Sequence, residues 1–298
     1  FSTIGLAKTH SSNSLVTDSA ASGTAMASGV KTLNGVIGIS SRNIKTPSIL
    51  EYSKEQKYVT GLIATSSIVH ATPASFYAKV TSRKKYQDIA LQLSESEVDY
   101  FIGGGRKHFT KRDDKRDLLN EMSDWSFAKN LTAFDEATKG RVGYFTSNDE
   151  PEKLLDGRRP ALDEGVKSML KKLTSKENTP FFLMVEGSQI DWGGHANELD
   201  YVVSEFLDFD KAIGVAVAFV KENPNTLLIV TADHETGGLG ISSGNIKTFT
   251  PSGGFVTSGH TAAMVPVFAM GVGAEQFSGI YENTAIFDKM LKVLNKTP

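Results

Sequence analysis

Four short, almost wholly apolar runs, each set apart from the next by a helix-length stretch, constrain this chain more than any other feature. They are Tyr58–Ala64 (YVTGLIA), Phe181–Val185 (FFLMV), Leu227–Val230 (LLIV) and Val265–Met270 (VPVFAM). Strands that are apolar at successive positions, not alternate ones, are buried on both faces. Separated by helices, they imply an α/β fold of three layers, with a mostly parallel central sheet covered by helices on both faces. The intervening stretches read as helices. Val202, Phe206, Phe209, Ile213, Val217 and Val220 mark one helical face, which Pro224 terminates. A helix around Ala161–Leu173 precedes the run after Pro180. Thr46 as cap and Pro47 in the first turn start a helix before Tyr58, and Asn283 caps a final helix with Ile286, Phe287, Met290, Leu291 and Leu294 on its apolar face. Residues 1–298 read as one domain, in which 110–157 is less regular and is either an insertion or an edge region.

The composition excludes several function classes. With 298 residues, 40% of them hydrophobic, a large core is available. Basic and acidic residues number 32 and 34, for a net charge of −2, so no nucleic-acid-specific surface is expected. No apolar run approaches the ~18 residues of a membrane span. The opening residues, FSTIGLAKTH, carry neither a basic segment nor an apolar leader. There is no cysteine, which removes disulfides, thiolate metal sites and cysteine nucleophiles. Any metal must be held by His, Asp, Glu and hydroxyl oxygens.

In such folds, ligands bind beyond the carboxyl ends of the strands. The residues there are chemically loaded. FFLMV is followed by Glu186, Asp191, Trp192 and His195; LLIV by Asp233 and His234; YVTGLIA by His70 and Thr72. His260 lies in a Ser-Gly-His-Thr loop. Imidazole and carboxylate suit Zn²⁺, while carboxylate and hydroxyl suit Mg²⁺. One such pair is usually just solvated, but three of them at strand ends argue for metal. Glycine pairs before His195 and after Thr236 fit backbone packed closely around a site. Near the start, Asp18-Ser19 precedes the small-residue stretch Ala20–Gly29. A serine at a helix N-terminus faces free N–H groups and suits a phosphate. From spacing alone, an ordinary serine cap beside Asp18 is the commoner meaning.

The segment VTDSAASGTAMASGVKT closely resembles the nucleophile motif of alkaline phosphatases. HATPASFYAKVTSR, VEGSQIDWGGHAN, TADHETGG and SGHTAAMVPVFAMG resemble that family's other motifs, in the same order. The likeness runs from about Thr3 to Tyr281 and is to the compact bacterial type. It implies hydrolysis of phosphate monoesters of broad range, with Ser19 forming a phosphoserine and Arg83 gripping two phosphate oxygens, oriented by Asp18. It further implies two zinc ions, the first on Asp191, His195 and His260, the second on Asp233 and His234, with Ser19 in its open position. Glu186 and Thr72 are the implied ligands of one magnesium. His70 and Trp192 stand where members of the family differ. They are placed at the substrate, with His70 either favouring zinc at the third site or standing behind it. The resemblance also implies periplasmic or secreted location, inhibition by inorganic phosphate, a homodimer as one possible assembly, and 238–258 as a reduced surface loop region.

One departure stands out. The family's first strand ends in an Asp-Gly whose aspartate bridges the second zinc and the magnesium. None of the 18 residues before Ser19 reads as that strand, and Asp156-Gly157 follows no apolar run. The expectation is a chain short of its N-terminal segment. The alternatives are a phosphodiesterase or phosphomutase of the same superfamily, or an inactive metal- or phosphate-binding fragment. Gly103-Gly104-Gly105 reads as a tight turn, His10 and His108 as structural, and Lys84, Lys85, Lys111 and Arg112 as solvated surface.

Overall fold

The computed structural model describes residues 1–138, 140–175 and 179–295. In chain order the strands are β1 (Thr3–Lys8), β2 (Val59–Ser67), β3 (Tyr100–Gly104), β4 (Trp125–Ala128), β5 (Arg141–Phe145), β6 (Phe181–Glu186), β7 (Leu227–Thr231), β8 (Glu235–Thr236), β9 (Gly240–Asn245), β10 (Thr250–Gly254), β11 (His260–Thr261), β12 (Val265–Gly271) and β13 (Gly279–Glu282). The helices are α1 (Ser19–Ser28), α2 (Ile49–Glu55), α3 (Ala71–Ala74), α4 (Tyr86–Glu95), the short α5 (Lys107–Thr110), α6 (Leu118–Glu121) and α7 (Leu131–Glu136), then α8 (Leu162–Leu173), α9 (Gln189–Ala196), α10 (Leu199–Glu222) and α11 (Thr284–Leu294).

Five strands pair in parallel in the order β4-β5-β3-β2-β6. Successive residues of β2 face opposite layers. Leu62 packs with Ile49 and Leu50 of α2 and Ile89 and Leu93 of α4, while Ile63 packs with Leu162, Val166 and Met169 of α8 and Ala212 of α10. Burial of each such side chain contributes roughly 1.5–3 kcal/mol, so both faces need helical cover. That is the three-layer arrangement. A second sheet, β13-β1-β12-β7, buries Ala7, Val265, Val267 and Ala269 against Ile286 of α11. Among the described residues, β6 is bonded only to β2, and β7 only to β12. Among the described residues, no helix is long and apolar enough to cross a membrane.

Several local expectations are corrected. The opening residues, which showed no strand in the sequence, form β1, antiparallel to β12 and parallel to β13. Its pattern is half-buried, with Ala7 inside and Ile4 outside, so it lacks the apolar run of a central strand. Helix α2 begins after Thr46 and Pro47. Ser48 Oγ accepts from Glu51 N (3.2 Å) and the Glu51 carboxylate accepts from Ser48 N (2.6 Å), a reciprocal cap. Asn283 makes no side-chain cap for α11; its amide donates to Ser22 Oγ (3.0 Å), tying α11 to α1. The 110–157 stretch supplies β4 and β5, the outer strands of the parallel sheet. Residues 238–258 hold the exposed β9–β10 hairpin. Arg112 is enclosed: its guanidinium donates to Gln87 O (2.6 Å) and pairs with Asp114. His10 has a carboxylate partner, Glu282, at 2.9 Å.

Candidate active site

Helix α1 is built almost entirely of small residues, which lets it sit deep in the molecule. A Cβ on Gly23 would come within 2.8 Å of Ser75 Oγ, just beyond α3. Asp18, not Ser19, caps the helix, its Oδ1 accepting from Ala21 N at 3.0 Å. Ser19 is therefore the first helical residue, with its hydroxyl released from capping. It is buried, and Oγ lies 3.1 Å from His234 Nε2. The other oxygen of Asp18 accepts from Arg83 Nη1 (3.1 Å) and Gly35 N (3.0 Å). One carboxylate thus fixes both the helix start and the guanidinium.

The Asp and His residues of metal-binding type arrive from three places in the fold. Asp191 and His195 are one turn apart on α9, so they share a face. Asp233 and His234 follow β7, and His260 opens β11. Asp191, His195 and His260 present donor atoms within 4.8 Å of one another. His195 Nε2 and His260 Nε2 are 3.0 Å apart, and each lies 3.4 Å from Asp191 Oδ1. His195 Nδ1 donates to Ser258 O and His260 Nδ1 to Thr17 O, both at 2.7 Å. With Nδ1 committed as donor, each neutral ring turns a bare Nε2 lone pair towards the other. Two lone pairs at that separation repel unless a cation stands between them, so the donor set fits Zn²⁺.

Asp233 and His234 form the second group, Oδ2 to Nε2 at 3.1 Å. Burial opposes ionisation of Asp233, but the charge and hydrogen bond of His234 outweigh it and hold the carboxyl well below its ordinary range. Burial likewise lowers His234, and Asp233 more than offsets it, raising the imidazole. Glu186, at the end of β6, is the third. Burial, with the charges of Asp233 and Asp191, pushes it up to about 7, although Ser188 Oγ donates to it at 2.6 Å. The Thr72 hydroxyl is buried beside it without a partner of hydrogen-bond geometry. A carboxylate under like-charge pressure next to an orphaned hydroxyl fits a hard cation such as Mg²⁺.

His70 and Trp192 also reach this region. His70 Nε2 accepts from Arg83 Nη2 at 3.4 Å, its Nδ1 is buried and unpartnered, and the Trp192 ring meets it edge-on at 5.9 Å. Burial first, then the Arg83 charge, lowers the imidazole to about 4. The structure thus brings Ser19, Asp18, Arg83, His70, Thr72, Glu186, Asp191, Trp192, His195, Asp233, His234 and His260 to the carboxyl ends of β2, β6 and β7. Sequence reasoning missed the groups that orient them. Thr17 O and Ser258 O are backbone atoms and leave no letter. Thr236, which donates to Asp191 Oδ1 at 2.5 Å, had only its place after Asp233-His234 to point to it.

A family model described as Alkaline phosphatase matches residues 1–254. Alkaline phosphatase 3 of Bacillus subtilis is 31% identical, covering 94% of this chain and 77% of that protein. The repressible alkaline phosphatase of Saccharomyces cerevisiae is 38% identical over 79% of this chain and 48% of its own length. Among solved structures, alkaline phosphatase from the Antarctic bacterium TAB5 superposes with a TM-score of 0.93 at 42% identity, covering 99% of this chain and 89% of that one. A variant of that enzyme with a histidine replaced by glutamate, at TM-score 0.92 and 41% identity over 99% and 89%, has magnesium bound in a site designated M3.

Proposed function

The chain belongs to the alkaline phosphatase family and hydrolyses phosphate monoesters, and we propose that it does so through a phosphoserine at Ser19, with two zinc ions and one magnesium held by the surrounding carboxylates and imidazoles. The observation that carries this reading is the convergence on Ser19. Its Oγ stands at a helix N-terminus, 3.1 Å from His234 Nε2, with Arg83 fixed beside it through Asp18. Asp191, His195 and His260 would hold the first zinc, Asp233 and His234 the second, and Glu186 with Thr72 the magnesium. When bound, the cations stabilise the anionic oxygens of attack and departure.

The chain's own groups do the rest. Arg83 binds two phosphate oxygens through its planar fork and turns phosphorus towards Ser19. The free N–H groups of α1 face the same charge. Ser19 Oγ gives up its proton and bonds to phosphorus as the ester P–O bond breaks, and the departing oxygen takes up a proton and leaves as the alcohol. Water then cleaves the Ser19 O–P bond, releasing inorganic phosphate and restoring the hydroxyl. The same contacts bind free phosphate, which makes it a product inhibitor. These contacts hold the phosphate and none of them reads the alcohol, in keeping with a broad substrate range. In the TAB5 enzyme, replacing a histidine by glutamate accompanies magnesium in the M3 site. We give His70, buried beside Arg83, the same influence over the third cation here. Export to the periplasm or medium and assembly as a homodimer belong to the same proposal.

The test is acid quenching during turnover of a radiolabelled monoester. Label is expected on Ser19, and Ser19→Ala is expected to lower kcat by roughly 10³-fold or more while leaving zinc content unchanged. Label on another residue, or an active preparation free of zinc, would overturn the reading.

A further inference from the structure

We propose that Thr236 is a positioning residue that couples the two zinc centres through a single hydroxyl. This rests on the metal reading above. Thr236 Oγ1 lies 2.5 Å from Asp191 Oδ1 and 3.2 Å from His234 Nδ1, one acceptor from each ligand set. A hydroxyl carries one hydrogen. At 2.5 Å that hydrogen must lie between Oγ1 and the carboxylate, since two bare oxygens would repel. Nδ1 of His234 is therefore the donor to Thr236, whether the ring is neutral or charged. The neutral ring then has its lone pair on Nε2, the atom 3.1 Å from Ser19 Oγ. Thr236 thus selects the His234 tautomer that can bind a metal, and by the same bond it fixes which Asp191 oxygen turns to the first centre.

The packing around Thr236 also ties it to the chain positions of the first centre's other two ligands. It lies directly across β8–β11 from His260. Its methyl and carbonyl occupy the space left by Gly194, where a Cβ would fall 2.9 Å from each, immediately before His195. A residue so placed cannot shift without moving ligands of both centres.

The test compares Thr236→Val, which keeps the shape and loses the hydroxyl, with Thr236→Ser, which keeps the hydroxyl. Thr236→Ala serves as a second hydroxyl-free variant should the valine protein not fold. Zinc affinity is read by chelator competition at each centre. Nitrogen-15 imidazole spectra of zinc-depleted protein at alkaline pH report the His234 tautomer. The hydroxyl-free variants are expected to lose roughly 10–100-fold in zinc affinity at both centres and to lose the preference for Nδ1–H. The serine variant should stay within about threefold of the parent. A folded hydroxyl-free variant with parental affinity and tautomer would overturn the proposal, as would a serine variant impaired as badly as valine. Parent protein without zinc would sink the metal reading itself, so the two failures are distinguishable.

Discussion

Asp18 shows how much one side chain carries here. Its Oδ1 caps α1 and its Oδ2 holds Arg83, so the nucleophile and the phosphate-binding fork share an anchor. This gives Arg83 a testable signature. Arg83→Ala is expected to weaken inhibition by inorganic phosphate about 10–100-fold, the value of a charge-assisted pair of hydrogen bonds. Arg83→Lys keeps the charge without the fork and should recover only part of it. The measurement is the phosphate inhibition constant, and an unchanged constant in the alanine variant would contradict the role. At this scale the sequence was legible wherever a polar residue followed an apolar run, as with Glu186, Asp191, Asp233 and His234. It was illegible where orientation depends on backbone carbonyls such as Thr17 O and Ser258 O, or on Thr236, which looks like any threonine until the fold sets it against Asp191.

At the scale of elements, the close approach of α9 to β8 makes a prediction of opposite signs. Within a helix, Gly→Ala ordinarily stabilises by about 0.5–1 kcal/mol. Gly214 in α10 has open space where a Cβ would go, so Gly214→Ala should gain about that much. Gly194 in α9 does not, and Gly194→Ala should instead cost about 1–3 kcal/mol through overpacking against Thr236 and lower zinc retention. Denaturant midpoints of the two variants settle it, and a stabilised Gly194→Ala would refute the tight packing. The apolar runs announced β2, β6, β7 and β12, although only β2 is buried on both faces; β6 and β7 are half-buried, and β12 keeps Val265, Val267 and Ala269 inside while Pro266 is exposed. β1 escaped because only its alternate residues are inside. β4 and β5 escaped because Arg141, Gly143 and Ser126 break the run in outer strands. The start of α2 was misplaced by two residues because Thr46-Pro47 and Ser48 with Glu51 are competing cap signals, and only the second makes reciprocal bonds.

At the scale of the molecule, the two sheets leave an unusual boundary. β6 and β7 have the unbroken apolar sequences of central strands, yet among the described residues each is bonded on one side only. Residues of β7 are half-buried throughout, and so are those of β6 apart from Met184. Apolar strands with an open edge are a liability that folded proteins ordinarily cover. The face of the second sheet that carries Ile4, Leu6 and, across the register, Phe268 and Pro266 is open as well, with Ile4 61% exposed. The amides of β6 and β7 are therefore expected to exchange far faster than those of β2, which is paired on both sides. Hydrogen exchange on the purified protein decides the matter. β2-like protection of β6 and β7 would show that their open edges are covered in solution.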